Sequence, residues 1–345
     1  MDDIGHAMAD EAIETLSARL TWLYKGAHDE MRDRVEKYFL SFEKLDGEMR
    51  EKLKDGKITK DYYTQWRLAR IGRGERLEAL RDQYAAAMTA ANETAAAWIN
   101  EETPRIFVLN ENYTMYTIEK VAGNVGFDLV DENTVKRLIK EEPDLLPARR
   151  VNAPEDTKWN REMFVKNVTS GILQGDSVKH LADRIEDLSD TNRAGAVRNA
   201  RTAVNSAENA GRQQAYTATA ALGINVKKRW IATKDTRTRD AHAMADGQTV
   251  KYDKPFRVDG YKMMHPGDTS APGRLVWNCR CTTRTVDPQG LKGSERKMRV
   301  RDPETGRNVL VSEMTYKQWA KWKEGEAKRQ EKSKSKTTPN KSSPS

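Results

Sequence analysis

Residues 230–284 concentrate the groups of this chain that are able to do chemistry: Asp235, Arg237, Arg239, Asp240, His242, Asp246, His265, Asp268, Cys279, Arg280 and Cys281. Both cysteines and two of the five histidines fall here. His242, His265, Cys279 and Cys281 form a nominal two-histidine, two-cysteine set, the donor types that hold a tetrahedral structural zinc. Cys-x-Cys is a rarer chelating spacing than Cys-x-x-Cys, and the two histidines stand too far apart for a zinc finger, so buried thiols beside hydrogen-bonded histidines are the competing reading. A disulfide between cysteines one residue apart would close only a tiny strained loop. Nucleophilic catalysis by Cys279 or Cys281 with His242 or His265 needs one poised thiolate, and two adjacent thiols give no reason to activate either. Asp235, Arg237, Arg239, Asp240 and Asp246 read as charge-assisted hydrogen bonds that hold irregular turns, with arginine-to-phosphate contact as the alternative. Glycine-rich phosphate cradles, paired glycosidase carboxylates and metalloprotease helix motifs are all missing, so no residue is assigned as catalytic.

The elements that position these residues follow from periodicity. After Gly223, Ile224–Ala232 alternates as a strand with Val226, Lys228 and Trp230 on one side. Strand character recurs near Thr249–Tyr252 and along Leu275–Val286, where a period of two puts Trp277, Cys279 and Cys281 on one face and Asn278 and Arg280 on the other. Behind this small antiparallel sheet the sequence predicts an alanine-rich helix from about Asn192 to Ala221, stopped by Gly223. Its polar side, with Arg198, Arg201, Asn205, Glu208, Asn209 and Arg212, reads as a solvated face, a groove lining being the alternative. Two shorter helices precede it, one from Trp159 to Gly175 and one capped by Asp176 and running through Leu188.

Upstream, Ile13, Leu16, Leu20, Leu23, Ala27, Met31, Val35, Phe39, Phe42, Leu45, Met49 and Leu53 recur every three or four residues, the stripe of a long helix or helical hairpin. Asp55-Gly56 interrupts it, Thr59 offers an N-cap, and a second stripe runs from Leu77 to Trp98. Thr103-Pro104 is expected to end the array, followed by a short strand or extended connection from Phe107 and a short helix around Val135–Lys140. The predicted fold is therefore mainly α with a C-terminal α+β module: long N-terminal helices, then a helical segment packed on a small antiparallel sheet. In sequence order this gives a helical N-terminal arm (1–142), a linker (143–156), the α+β module (157–287), an appendage with a hairpin near Val300–Val311 and a helix at Trp319 (288–322), and a disordered basic tail (323–345).

Composition narrows the function. No run approaches the roughly 18 apolar residues that cross a bilayer, and the N-terminus lacks the basic start and apolar stretch of a signal peptide. The expectation is a cytoplasmic chain without a membrane partner. Of the net charge of +8, the stretch from Lys321 to Ser345 carries +5, eight basic residues against three Glu. Lys328, Arg329, Lys332, Lys334, Lys336 and Lys341 are candidates for weak, nonspecific nucleic-acid contact, with a solubilising tail as the plainer reading.

The run Arg201–Arg212, the segment Lys228–Gln248, Pro266-Gly267-Asp268 and the closing Asn278-Cys279-Arg280-Cys281-Thr282 together resemble the phage Mu F-like head morphogenesis family of minor head, or minor capsid, proteins. The resemblance covers roughly residues 155–287, with a weaker one along the helical first hundred. The family motif falls on Asp235, Arg237, Arg239, His242, Gly247, Pro266, Gly267, Asn278, Cys279, Arg280 and Cys281. One departure is the Asp240-Ala241 pair before His242, where a small hydroxylated residue is more usual. The resemblance implies a structural, non-enzymatic protein made in the host cytoplasm and carried in the virion, in the head interior or at the portal vertex. It implies the portal as partner, with capsid and scaffold during assembly, nonspecific double-stranded DNA contact or an influence on DNA exit, and no established cofactor beyond the candidate zinc. The rival is a metal-dependent nuclease or effector carried in the head, acting through His242, Asp235 and Asp240. Some members carry an added C-terminal toxin or enzyme domain, for which the sixty or so residues after Val286 leave little room.

Overall fold

The structure is a computed structural model and describes residues 3–123, 125–286, 298–301, 308–311 and 315–337. Its elements run α1 (Ile4–Leu40), α2 (Glu43–Lys54), α3 (Lys60–Arg70), α4 (Glu75–Ala122), α5 (Glu132–Glu141), α6 (Ala153–Gln174), α7 (Val178–Ala221), β1 (Lys227–Ile231), α8 (Asp240–Ala245), β2 (Thr249–Lys251), β3 (Phe256–Val258), β4 (Tyr261–Met263), α9 (Gly273–Val276), β5 (Thr282–Val286), β6 (Met298–Arg301), β7 (Asn308–Val311) and α10 (Tyr316–Thr337). The chain is mainly helical, with the expected small antiparallel sheet near its C-terminal end. None of the described helices is long and apolar enough to cross a membrane.

Local signals set many of the boundaries. Thr59 caps α3 by accepting from the Tyr62 amide at 3.2 Å, and Gly175 and Gly223 follow α6 and α7 in the left-handed conformation that glycine adopts without strain. Three expectations give way to tertiary packing. Pro104 does not end a helix but lies inside α4, and the strand expected from Phe107 is helix. Burial of Ile106 and Phe107 offsets a proline cost of about 3 kcal/mol. The two helices expected before and after Asn192 are one, α7, because Ser189-Asp190-Thr191 contains no glycine or proline to break it, and its N-cap is Ser177, not Asp176: Ser177 Oγ accepts from the His180 amide at 3.1 Å. The predicted linker ends early, since α6 begins at Ala153 with Pro154 in the first turn, where no amide hydrogen is required.

Two compact units interleave along the sequence rather than following one another: one comprises Met1–Ala12, Glu102–Pro147 and Arg201–Ser345, the other Ile13–Glu101 and Ala148–Ala200. The second unit is helical. Leu16, Leu20, Phe39, Leu80, Tyr84, Met88, Phe164, Ile172 and Leu181 fill its interior, and Tyr84 packs 5.5 Å from Phe164 while its hydroxyl meets Ser189 Oγ at 2.9 Å. Arg67 and Asp46 form a buried ion pair at 3.1 Å within it, with Tyr63 donating to Asp46 at 2.9 Å.

In the α+β unit, β1 is central to a sheet of order β2-β1-β5, antiparallel throughout, with Trp230 opposite Thr283. Asp259-Gly260, both at positive φ, turns β3 into β4, and β6 pairs with β7. One apolar cluster gathers Trp230, Phe256, Val258, Met263, Leu275 and Val276 with both cysteines, and a second gathers Tyr113, Tyr116, Phe127, Tyr216, Val226, Trp319 and Trp322. The second cluster holds α10. Glu119, fully buried, accepts from the consecutive amides of Val125, Gly126 and Phe127, from Trp319 Nε1 at 2.7 Å and from Lys323 Nζ at 3.1 Å. So anchored, α10 extends to Thr337, and the basic stretch from Lys323 is helical where the sequence suggests disorder; residues 338–345 lie outside the described ones.

The backbone of α7 lies close against α4 and its polar side lies against β5. At Gly211 a Cβ would sit 2.3 Å from the Phe107 carbonyl oxygen, so only glycine fits. Asn205, Glu208, Asn209 and Arg212 are all buried, contrary to the solvated face the sequence suggests. Asn205 and Asn209 donate to the Cys281 carbonyl at 2.9 and 3.1 Å, Arg212 donates to the Thr283 carbonyl at 2.9 Å, and Glu208 accepts from Thr282 Oγ1 at 2.6 Å. Residues near the N-terminus complete the row: Asp3 accepts from Arg212 at 2.7 and 2.9 Å, and His6 Nδ1 donates to Glu208 at 3.0 Å. Burial pulls the His6 pKa down, but the hydrogen bond and charge of Glu208 outweigh it and raise it to about 9.

Two outcomes follow. Gly211→Ala is expected to cost about 1–3 kcal/mol by overpacking, read as a lowered midpoint in chemical denaturation. Because the folded His6 value exceeds that of a free histidine, its contribution of about 1–3 kcal/mol is complete below about pH 6.5 and is lost as pH rises through about 9. Thermal melts across that range should show the wild type losing stability relative to His6→Ala; parallel curves would refute the coupling.

Candidate functional site

The segment rich in reactive groups lies wholly in the α+β unit, and each group can be followed to a partner or a neighbour. Asp235, in the loop after β1, takes a bidentate grip from Arg280, with Nη2 to Oδ1 at 2.7 Å, and also accepts from the Arg237 amide at 2.9 Å. The Arg280 hydrogen bonds hold the Asp235 carboxyl well below the usual carboxylate range. Arg237 itself points outward, 74% exposed at its side chain, whereas Arg239 donates to the Trp277 carbonyl. Thr233 Oγ1 donates to the Arg280 carbonyl at 2.6 Å. The loops before α8 and before β5 are thus laced together by charge-assisted and backbone-directed bonds, as the composition of the segment suggests.

The motif glycines and proline serve backbone geometry. Gly247 turns α8 into β2 at φ 77°, its amide donating to the Trp230 carbonyl at 2.9 Å. In the turn Pro266-Gly267, Gly267 at φ 77° presses on α7, where a Cβ would meet Ser206 Cα at 3.0 Å. Asp268 closes that turn by accepting from the Met264 and Ser270 amides at 2.6 and 2.9 Å. Asn278 occupies left-handed backbone at φ 53°, a conformation asparagine tolerates, and its amide donates to Thr202 Oγ1 at 3.2 Å.

His242, on α8, is buried edge-on against Trp230 with ring centroids 5.7 Å apart. Its Nδ1 lies 3.3 Å from Cys281 Sγ and 3.7 Å from Cys279 Sγ. Cys279 and Cys281 are not in a strand, as the sequence suggests, but in the turn between α9 and β5; the left-handed step at Asn278 still brings both sulfurs to one side, with the Cys281 amide donating to Cys279 Sγ at 3.5 Å. The two thiols are free. Their mutual hydrogen bond keeps the proton on Cys279, pushing that thiol up, and holds Cys281 down with help from His242.

Of the four predicted metal ligands, three come together: His242, Cys279 and Cys281 form a group able to hold a metal ion, their ligand atoms all within 4.8 Å of one another. His265 does not join them. Its Nδ1 donates to the Pro266 carbonyl at 2.9 Å, and burial pushes its pKa down, so it serves the turn as a neutral ring. Neither Asp235 nor Asp240 joins His242 among the described residues. Of the residues proposed to meet nucleic acid, Lys328 is exposed on α10, Arg329, Lys332, Lys334 and Lys336 follow on the same helix, and Lys341 lies outside the described residues.

Two features escape a reading of the sequence. The polar row on α7 carries a signal in retrospect: Asn205 and Asn209 are poor helix formers placed mid-helix among alanines, where a solvated face would hold Lys or Glu. Lys228 shares the inward side of β1 with Trp230, as alternation predicts, yet it is fully buried, donating to Gln213 Oε1 and the Met264 carbonyl at 2.7 Å each while burial lowers its pKa to about 7.

Residues 162–284 match the model of the family described as Phage Mu protein F like protein. Among known relatives, the minor head protein GP7 of Bacillus phage SPP1 is 28% identical over 258 residues, covering 72% of this chain and 79% of that protein. A protein of Enterococcus faecalis named NAD(+)–arginine ADP-ribosyltransferase EFV is 33% identical over 135 residues, 38% of this chain and 28% of that one, and an uncharacterized protein of Haemophilus influenzae is 34% identical over 128 residues, 35% of this chain and 25% of that one. The chain therefore spans about a quarter of the length of these last two. No solved structure matches. The match to the Phage Mu protein F like family takes in every loop described above, from Asp235 to Arg280.

Proposed function

We propose that this chain is a minor head protein of a tailed phage, a structural component that joins the portal while capsid and scaffold assemble in the host cytoplasm and that stays in the head, at its interior or portal vertex. The carrying observation is the alignment with the SPP1 minor head protein along most of both chains. The chemistry of the candidate site supports the same reading. Asp235, His265 and Asp268 are engaged in loop-holding bonds, and His242 and the cysteines are buried, which supports a role for these groups in holding the fold. The basic residues of α10 and beyond supply the contact with packaged double-stranded DNA, charge against phosphate without base reading.

Co-expression with the portal protein of the same phage tests the first part. The chain is expected to co-sediment with portal and to be present in purified DNA-filled heads; heads that assemble without it and a portal that does not retain it would overturn the reading. For the DNA contact, replacing Lys328, Arg329, Lys332, Lys334, Lys336 and Lys341 by Gln should lower the slope of log affinity against log salt by up to about five. An unchanged slope would remove these residues from the interface.

A further inference from the structure

The group formed by His242, Cys279 and Cys281 is poorly satisfied by the protein's own hydrogen bonds. All three residues are at most 3% exposed. His242 Nδ1 has two sulfurs for neighbours, at 3.3 and 3.7 Å, and Nε2 is buried without a partner among the described residues. Thiol sulfur is a weak donor and a weak acceptor, so a ring in this position has lost its hydration for little in exchange. A histidine kept here only for packing would be better replaced by an apolar residue.

A cation between the three atoms would give Nδ1 and both sulfurs a strong partner in place of weak sulfur contacts, leaving Nε2 as it is. Tetrahedral zinc, with nitrogen at about 2.0–2.1 Å and thiolate sulfur at about 2.3 Å, sets a nitrogen-to-sulfur edge of about 3.6 Å. The observed separations of 3.3 and 3.7 Å straddle that edge. The amide of Cys281 already donates to Cys279 Sγ, which fixes that sulfur's direction in the way outer partners fix metal ligands. One imidazole and two thiolates suit zinc, whereas magnesium and calcium require oxygen.

We propose that His242 Nδ1, Cys279 Sγ and Cys281 Sγ bind one zinc ion per chain, with solvent in the fourth position, and that this metal clips α8 to the turn that leads into β5. His265, the other histidine of the segment, lies outside the site, its Nδ1 engaged by the Pro266 carbonyl. The role is structural, since the ion ties together two segments that also meet through the Trp230 cluster, the Asp235–Arg280 pair and the Arg239 and Thr233 bonds to the turn.

The full chain, purified under a phosphine reductant and without chelator, should carry about one equivalent of zinc by elemental analysis. After demetallation, cobalt(II) should titrate to the same stoichiometry with thiolate-to-cobalt charge-transfer absorption and the visible bands of tetrahedral cobalt, and zinc should displace it. Cys279→Ser and Cys281→Ser should each diminish the charge-transfer band and His242→Ala should weaken binding by about tenfold or more, while His265→Ala should bind as the wild type does. Substoichiometric uptake of both metals by the wild-type chain would overturn the site without relying on any variant. Loss of binding in His265→Ala equal to that in His242→Ala would overturn the ligand set. Because metal uptake is read on the isolated chain, its failure would leave the head-assembly reading standing, and the reverse holds equally.

Discussion

The α+β unit depends on how the outer edge of β5 is satisfied. In the order β2-β1-β5 the last strand is paired on one side only, so carbonyls on its other side need partners. A helix cannot offer backbone groups to a strand, because its own are committed along its axis. The helix α7 offers side chains instead: Asn205, Asn209 and Arg212 reach the carbonyls of Cys281 and Thr283, and Glu208 takes the Thr282 hydroxyl. Residues three and four apart on a helix share a face, which is why 205, 208, 209 and 212 can line one strand edge. The edge is thereby closed to other strands, and the strand is fixed to the helix in a single register.

That register carries the reactive segment with it. The turn holding Cys279, Arg280 and Cys281 runs directly into β5, so fixing the Cys281 carbonyl on α7 also fixes where Arg280 leaves the surface and where the two sulfurs point. Arg280 then meets Asp235 across the loop after β1, and the sulfurs meet His242 on α8. The density of Asp, Arg, His and Cys between residues 230 and 284 is the density needed to hold three irregular loops whose backbone forms little regular structure. Such loops have few ladder bonds to spare, and charge-assisted side-chain bonds replace them.

How far this was legible in the sequence depends on whether the signal is local. Thr59, Gly175 and Gly223 act through their own local preferences. The alternation of Val226, Lys228 and Trp230 likewise marks the buried side of β1 without reference to anything distant. Three readings that failed concern contacts set by partners far along the chain. Pro104 ends a helix by every local rule, yet the packing of residues such as Phe107 and Gly211 carries α4 past it. The row on α7 looks solvated until β5, some seventy residues later, supplies its acceptors. Lys323 looks like part of a free tail, and only Glu119, two hundred residues earlier, makes it an anchor. The four-ligand metal set was legible by type, but which histidine joins the cysteines is a question of three-dimensional placement, and the Pro266 carbonyl withdraws His265.

Lys323 also changes what the basic C-terminal segment is. A buried ammonium costs free energy unless its partner is charged and close, and Glu119 meets both conditions while its carboxylate is shared with Trp319 and three backbone amides. This exchange converts one positive charge from a tail residue into a hinge-free attachment, and the helix that follows inherits its direction. Basic residues carried on the backbone of one helix keep a fixed spacing along it, whereas those on a free tail sample a wide volume. For the DNA contact proposed above the distinction matters: an anchored basic helix meets phosphate without first losing the conformational entropy that a disordered segment would give up on binding.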